Sequence, residues 1–130
     1  MPTIFSKIIA GEIPCYKIAE DENYFAFLDI NTLTKGHTLI VPKIEEDYIF
    51  NLEDNVLSGM IIFAKKVAKA LEKSVDCQRI GLTVIGLEVP HAHIHLIPIK
   101  KESDLNFSNK RCKFSSVEMA EIAKEISSKL

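Results

Sequence analysis

The chain opens on an apolar cluster, Ile4, Phe5, Ile8 and Ile9, spaced so that all four fall on one broad side of a short helix that Gly11 and Pro14 stop. Two short runs rich in strand-forming residues, 16–20 and 23–29, flank the turn-former Asp21 and predict a hairpin. After the polar loop 31–36, the stretch 37–41 is apolar and β-branched and is ended by Pro42. The longest periodic pattern follows. Val56, Met60, Phe63, Val67 and Leu71 recur at helical spacing, with Lys65, Lys66, Lys69 and Lys73 on the opposite, solvated side, which predicts a helix over 53–74. Two further strands are expected at 79–85 and 91–99, then a polar loop over 100–113. Ser115-Ser116-Val117-Glu118 has the form of a capping box and opens a last helix with Val117, Ile122 and Ile126 among its apolar positions. The order predicts an α+β fold: a mainly antiparallel β-sheet with a long central helix and shorter N- and C-terminal helices.

At 130 residues the chain reads as one domain, 1–130, large enough to bury a core without staples. The composition, 47% hydrophobic and 26% charged, argues against disorder. Sixteen basic residues against eighteen acidic ones leave a net charge of −2, which removes the main reason to expect a nucleic-acid or anionic-membrane partner. The short basic run Lys110-Arg111-Cys112-Lys113 has no interleaved aromatics and reads as a solubilising part of the tail. Cys15, Cys77 and Cys112 are odd in number and far apart, so a reducing compartment suits them better than a disulfide framework. The amino end, Met1 to Lys7, lacks a basic flank followed by a long apolar run, and nothing approaches the ~20 apolar residues of a bilayer span. The expectation is a cytoplasmic protein.

The four histidines change the picture. His91, His93 and His95 alternate with Ala92, Ile94 and Leu96, so in a strand the apolar residues point into a core and three imidazoles share the other face. Two uses are physically sensible. The imidazoles could hold a metal through neutral ring nitrogens, although no Cys and no nearby Asp completes such a set. Alternatively, one neutral imidazole could attack an electrophile while its neighbours fix its tautomer, donate protons and neutralise charge. The plain alternative is a polar strand face of satisfied histidines.

His91-Ala92-His93-Ile94-His95-Leu96-Ile97 resembles the His-x-His-x-His-x-x motif, x apolar, of the histidine triad (HIT) superfamily. The segments 4–14, 25–30 and 36–43 resemble the family's opening segment, second strand and the strand carrying its fourth histidine, His37 here. The likeness covers most of residues 4–98, is nearest to the Hint-like branch, and leaves 100–130 outside it as a C-terminal extension. What the resemblance implies is a nucleotidyl hydrolase acting on purine nucleoside phosphoramidates or related adenylyl conjugates, through a covalent nucleotidyl-histidine. His93 would be the nucleophile, His95 and His37 the phosphate or leaving-group network, and His91 an orienting residue. Asp29 would hold the ribose hydroxyls, Ile4, Phe5, Ile8, Phe27 and Ile30 would form the base pocket, and Gly86 and Val89 align with the loop before the triad. No cofactor is implied, and a homodimer is.

The resemblance also has gaps. Leu87 stands where a phosphate-contacting Gln is common, and Glu88 near a phosphate-contacting hydroxyl. A carboxylate so close to phosphate is repulsive unless protonated or turned away. A dinucleoside polyphosphate hydrolase, or a nucleotide-binding sensor with little catalysis, are the alternatives. Positions that supply a structural zinc in some bacterial members correspond here to Thr3, Ser6 and Glu45, so no metal is expected.

Overall fold

The structure, a computed structural model, describes residues 2–130; Met1, part of the amino-end reading above, lies outside the described residues. The elements in chain order are α1 (Ile4–Ile9), β1 (Lys17–Glu20), β2 (Tyr24–Leu28), β3 (Thr38–Pro42), α2 (Asp54–Ser74), β4 (Arg79–Thr83), β5 (Ile94–Ile99) and α3 (Ser116–Ser127), with single 3-10 turns at Ile49–Asn51 and Glu102–Leu105. The strands form one antiparallel sheet in the order β1-β2-β3-β5-β4. This is the α+β architecture that the apolar periodicities predict.

The hairpin turn is set by Asp21, whose carboxylate accepts from the Asn23 and Tyr24 amides, both at 2.8 Å, an Asx turn. The last helix starts where its capping box falls: the Ser115 hydroxyl accepts from the Glu118 amide (3.1 Å), and the Glu118 carboxylate accepts from the Ser115 amide (2.8 Å). Strand alternation then sorts the side chains. Ala26, Leu28, Ile40, Ala92, Ile94 and Leu96 face α2 and α3, meeting Met60, Phe63, Val67, Leu71, Met119 and Ile126 in the larger core. The opposite face of the same strands carries Phe25, Phe27, Leu39 and Val41, which pack with Phe5 and Ile8 of α1 in a second, smaller core. The site lies on this second face.

Two expected boundaries move. The strand over 91–99 begins at Ile94, so His91 and His93 precede the ladder and only His95 lies in it. Continuing the β3–β5 register, Thr38↔Leu96 and Ile40↔Ile94, would set Pro42 opposite Ala92, and proline has no N–H to pair. The Ala92 amide donates instead to the Glu46 carbonyl at 2.6 Å. The strand over 79–85 ends at Thr83, and the chain leaves the sheet through Gly86, whose φ of +74° suits a residue without Cβ. The segment 84–93 is thereby freed to shape a cleft. The expected loop over 100–113 carries a 3-10 turn, closed by the Asp104 carboxylate accepting from the Lys100 and Lys101 amides (2.8 and 3.1 Å), and a second turn in which the Asn109 amide donates to the Asn106 carbonyl (3.0 Å).

Gly59, inside α2, faces the Tyr24 ring, and a Cβ there would collide with the tyrosine hydroxyl, itself donating to the Val56 carbonyl at 2.7 Å. Gly59→Ala gains about 1 kcal/mol of helix propensity and incurs about 1–3 kcal/mol of overpacking. The expected result is a net loss in urea unfolding, with most of that loss relieved in the Tyr24→Phe background of a double-mutant cycle.

Candidate active site

All four histidine side chains are buried, and each ring has a hydrogen-bond partner that dictates its tautomer. His91 Nε2 lies 2.8 Å from the Pro42 carbonyl. A carbonyl only accepts, so Nε2 carries the proton and Nδ1 is an acceptor, meeting the Thr3 hydroxyl at 2.7 Å. The His91 carbonyl in turn accepts from His93 Nδ1–H at 2.7 Å. With its proton held at Nδ1, His93 keeps the lone pair on Nε2. That atom has no hydrogen-bond partner, while among the described residues no fully buried side-chain nitrogen or oxygen lacks one, so His93 Nε2 opens onto the cleft.

A second relay runs through His37. The Leu33 amide donates to His37 Nδ1 (3.0 Å), which places the His37 proton on Nε2. His37 Nε2–H donates to His95 Nδ1 (3.0 Å), so neutral His95 carries its proton on Nε2. The two adjacent rings, 5.0 Å apart, thus show the cleft opposite faces of the same chemistry: a lone pair on His93 and an N–H on His95. Both relay histidines are held neutral. Burial first, then proximity to His95, which disfavours protonating both rings, and to Arg111, pulls His37 down to about 3; burial, with His93 and Arg111, pulls His95 down to about 4. Burial also lowers His91.

The cleft, about 410 Å³, has the size of a small-molecule site. Of the residues expected there, Phe5, Asp29, Gly86, Val89, His93 and His95 line it. His37 and His91 stand behind their partners, and Phe27 and Ile8 lie beneath Phe5 as packing. Phe5 sets its ring edge-to-face on His93 with centroids 5.0 Å apart. Ile4 and Ile30 are not brought to the cleft: Ile4 turns outward on α1, 50% exposed, and Ile30 follows the strand end into solvent, 79% exposed. Asp29 accepts from the Asn31 amide at 2.8 Å and lies 3.5 Å from His37 Nε2; its carboxyl is raised above the ordinary value by burial, which outweighs the Asn31 amide and the Arg111 charge.

Residues that sequence reasoning missed come chiefly from the tail. Phe107 and Arg111 line the cleft, with Phe107 edge-on to His95 at 5.0 Å. The Arg111 guanidinium donates to the Asn31 carbonyl and the Phe107 carbonyl, both at 2.9 Å, and lies over the Phe107 ring. The basic run is therefore not merely solubilising: Arg111 is a wall of the cleft. Nothing in the local sequence marks that role, because the fold alone brings Arg111 to the Asn31 carbonyl. Leu87 and Glu88 also line the cleft, and Leu87 is 88% exposed.

Asp29, His37 and His95 bring one donor atom each within 4.8 Å of one another. The Leu33 amide, however, occupies the His37 Nδ1 lone pair and leaves a proton on Nε2, the atom a metal would need, so the set works as a hydrogen-bond relay. Nor do Thr3, Ser6 and Glu45 suit zinc: two of the three offer only hydroxyls, which are weak zinc ligands, and the Thr3 hydroxyl is engaged with His91 Nδ1 and the Ser6 amide.

An antiparallel sheet with helices on both faces and a buried four-histidine network opening onto a nucleotide-sized cleft defines a class of protein, and comparison supplies the family. The HIT domain family model matches residues 10–102. An uncharacterised HIT-like protein of Methanocaldococcus jannaschii is 41% identical over 127 residues, spanning 95% of this chain and 97% of that protein. An adenosine 5′-monophosphoramidase of Schizosaccharomyces pombe is 34% identical over 132 residues, spanning 100% and 99%. The crystal structure of a HIT-like protein from Bartonella henselae superposes with a TM-score of 0.85 at 28% identity, covering 98% of this chain and 96% of that one. The chain belongs to the HIT family.

The neutral histidines make a signed prediction. Unfolded histidines take up protons near 6.5, whereas His37 and His95 resist to about 3 and about 4, so the unfolded state binds more protons between these values. Stability is therefore full above that window and is lost as pH falls from about 6.5 toward 4, against a smaller opposing contribution from Asp29. Urea midpoints should drop steadily over this range, and less steeply in His37→Gln.

Proposed function

We propose that this HIT-family hydrolase cleaves purine nucleoside phosphoramidates or related adenylyl conjugates through a covalent nucleotidyl-histidine on His93. The observation that carries the reading is the His93 Nε2 lone pair, held toward the cleft by the Nδ1–H bond to the His91 carbonyl and flanked by the His95 Nε2–H. A neutral imidazole is a competent nucleophile at pH 7 without prior deprotonation. Nε2 forms a bond to the α-phosphorus as the bond to the leaving amine breaks, and His95 supplies the proton that amine takes. Water then cleaves the phosphoimidazole, releasing the nucleoside monophosphate and restoring both rings. Donors set beforehand toward the phosphoryl oxygens lower the barrier without reorganising. Phe5, Leu39, Ile85 and Val89 offer apolar walls to a base, which suits a purine by contact area, and Asp29, on the same cleft, would accept from the ribose hydroxyls. The phosphoramidase named above, from Schizosaccharomyces pombe, supports the substrate class.

One observation favours a second reading. Arg111 sets a cation on the cleft wall, which suits an anionic leaving group such as the polyphosphate arm of a dinucleoside polyphosphate. Parallel assays of adenosine phosphoramidate and diadenosine polyphosphates separate the two. Rapid quench with intact-mass analysis should show a chain heavier by one nucleotidyl group, mapped to residue 93. His93→Ala should lose turnover by at least 10³-fold, the scale of losing an activated nucleophile, while retaining nucleotide binding. Nucleotide binding with no trapped adduct would instead indicate a sensor, the reading that Leu87 and Glu88 raise.

The partner proposed for this chain is a second copy. β4 leaves one edge unpaired, and Leu82, Val84 and Ile85 near it, with Ile61 and Ile62 on α2, expose a run of apolar surface beside the cleft. Pairing β4 with its symmetry mate, and α2 with its own, would cover this surface. Sedimentation should report a dimer that Ile61→Arg/Ile62→Arg converts to monomer.

A further inference from the structure

We infer that Thr3 is a positioning residue for the histidine network, coupling the start of α1 to the orientation of His93; the inference rests on the nucleophilic role given to His93 above. Thr3 is the N-cap of α1, and its hydroxyl accepts from the Ser6 amide at 3.0 Å, as a cap does. It has a second partner that capping does not require. The hydroxyl is buried, 8% exposed, and lies 2.7 Å from Nδ1 of His91, 88 residues away in sequence and fully buried. The direction of that bond is fixed. His91 Nε2–H is committed to the Pro42 carbonyl, so Nδ1 must accept and Thr3 must donate its single proton. Ser6, whose hydroxyl lies 2.9 Å from that of Thr3, is left as the donor of that pair, toward the Thr3 hydroxyl or its carbonyl (3.2 Å). Ser6 Oγ also accepts from the Thr3 amide at 2.7 Å.

The consequence passes along the chain of bonds. With both nitrogens satisfied, the His91 ring has one orientation, and the backbone that carries it presents its carbonyl to His93 Nδ1–H. Removing the Thr3 proton leaves a buried acceptor unpaired, and the ring must rotate or shift to recover a partner. The carbonyl that holds the His93 tautomer is on the same residue. Phe5, the second residue of the helix that Thr3 caps, packs on both the His91 and His93 rings, with centroids 5.8 and 5.0 Å away, so the same anchor also seats the aromatic wall.

The test compares Thr3→Val, Thr3→Ser and Ser6→Ala in the full-length chain. Thr3→Val is expected to lower kcat for adenosine phosphoramidate about tenfold with KM changed less than twofold. Its histidine ¹⁵N spectra should show His93 leaving the pure Nδ1–H form. Thr3→Ser restores the hydroxyl and should recover both. Ser6→Ala weakens the cap but leaves the Thr3–His91 bond, so it should lower the thermal midpoint while the His93 tautomer and kcat stay near wild type. Unchanged tautomers and kcat in Thr3→Val, or a Ser6→Ala defect equal to that of Thr3→Val, would overturn the inference. Loss of the nucleophile assignment has a different signature, an active His93→Ala, and the ¹⁵N readout stands without any assay of turnover.

Discussion

The hydrogen bond from His93 Nδ1–H to the carbonyl two residues earlier is the constraint on which the site turns. An imidazole in water exchanges its proton between two nitrogens, and only one of those forms of His93 turns its lone pair to the cleft. Here the main chain makes the choice. It can do so because residues 91–93 sit outside the sheet, where their carbonyls and amides are not consumed by ladder pairing. Pro42 is the cause: lacking an N–H, it ends the β3–β5 ladder and at the same time offers its carbonyl to His91. One residue thus terminates a strand and fixes a tautomer.

The sheet separates two kinds of interior. On one face the strands meet α2 and α3 in a predominantly apolar core, which supplies rigidity. On the other, aromatic and aliphatic side chains surround imidazoles whose burial keeps His37 and His95 uncharged near neutrality. An uncharged His95 is a donor of defined direction rather than a diffuse positive charge. The desolvation that makes these residues costly to protonate is also what makes them useful.

Much of this was legible in the sequence for physical reasons. The alternation of His91, His93 and His95 with Ala92, Ile94 and Leu96 announces two opposite faces, and those faces persist although only His95 is in a strand: Ala92 packs in the larger core while His93 lines the cleft. Helix α2 was readable from its repeat, and α3 from a local cap. What could not be read were features that depend on distant partners. Arg111 carries no local mark of its place on the cleft; only the fold brings it to the Asn31 carbonyl, 80 residues away in sequence. The family resemblance implies Ile4 and Ile30 as pocket residues, yet a helical rotation of 100° per residue separates Ile4 from Phe5, and the end of β2 releases Ile30 to solvent.

The tail segment between β5 and α3 is moored at both ends, by Asp104 to the Lys100 and Lys101 amides and by the Cys112 amide to the Thr32 carbonyl at 2.9 Å, before α3 docks on α2 and β1. The histidines come from the sheet and the segments just before its strands, whereas Phe107 and Arg111 come from a loop strung between two fixed posts. Such an arrangement lets this wall of the cleft be redrawn, in length, charge or shape, without touching the histidine network. The frontier between conserving a reaction and changing its clientele would then run through sixteen residues, 100–115, that belong to no strand or α-helix.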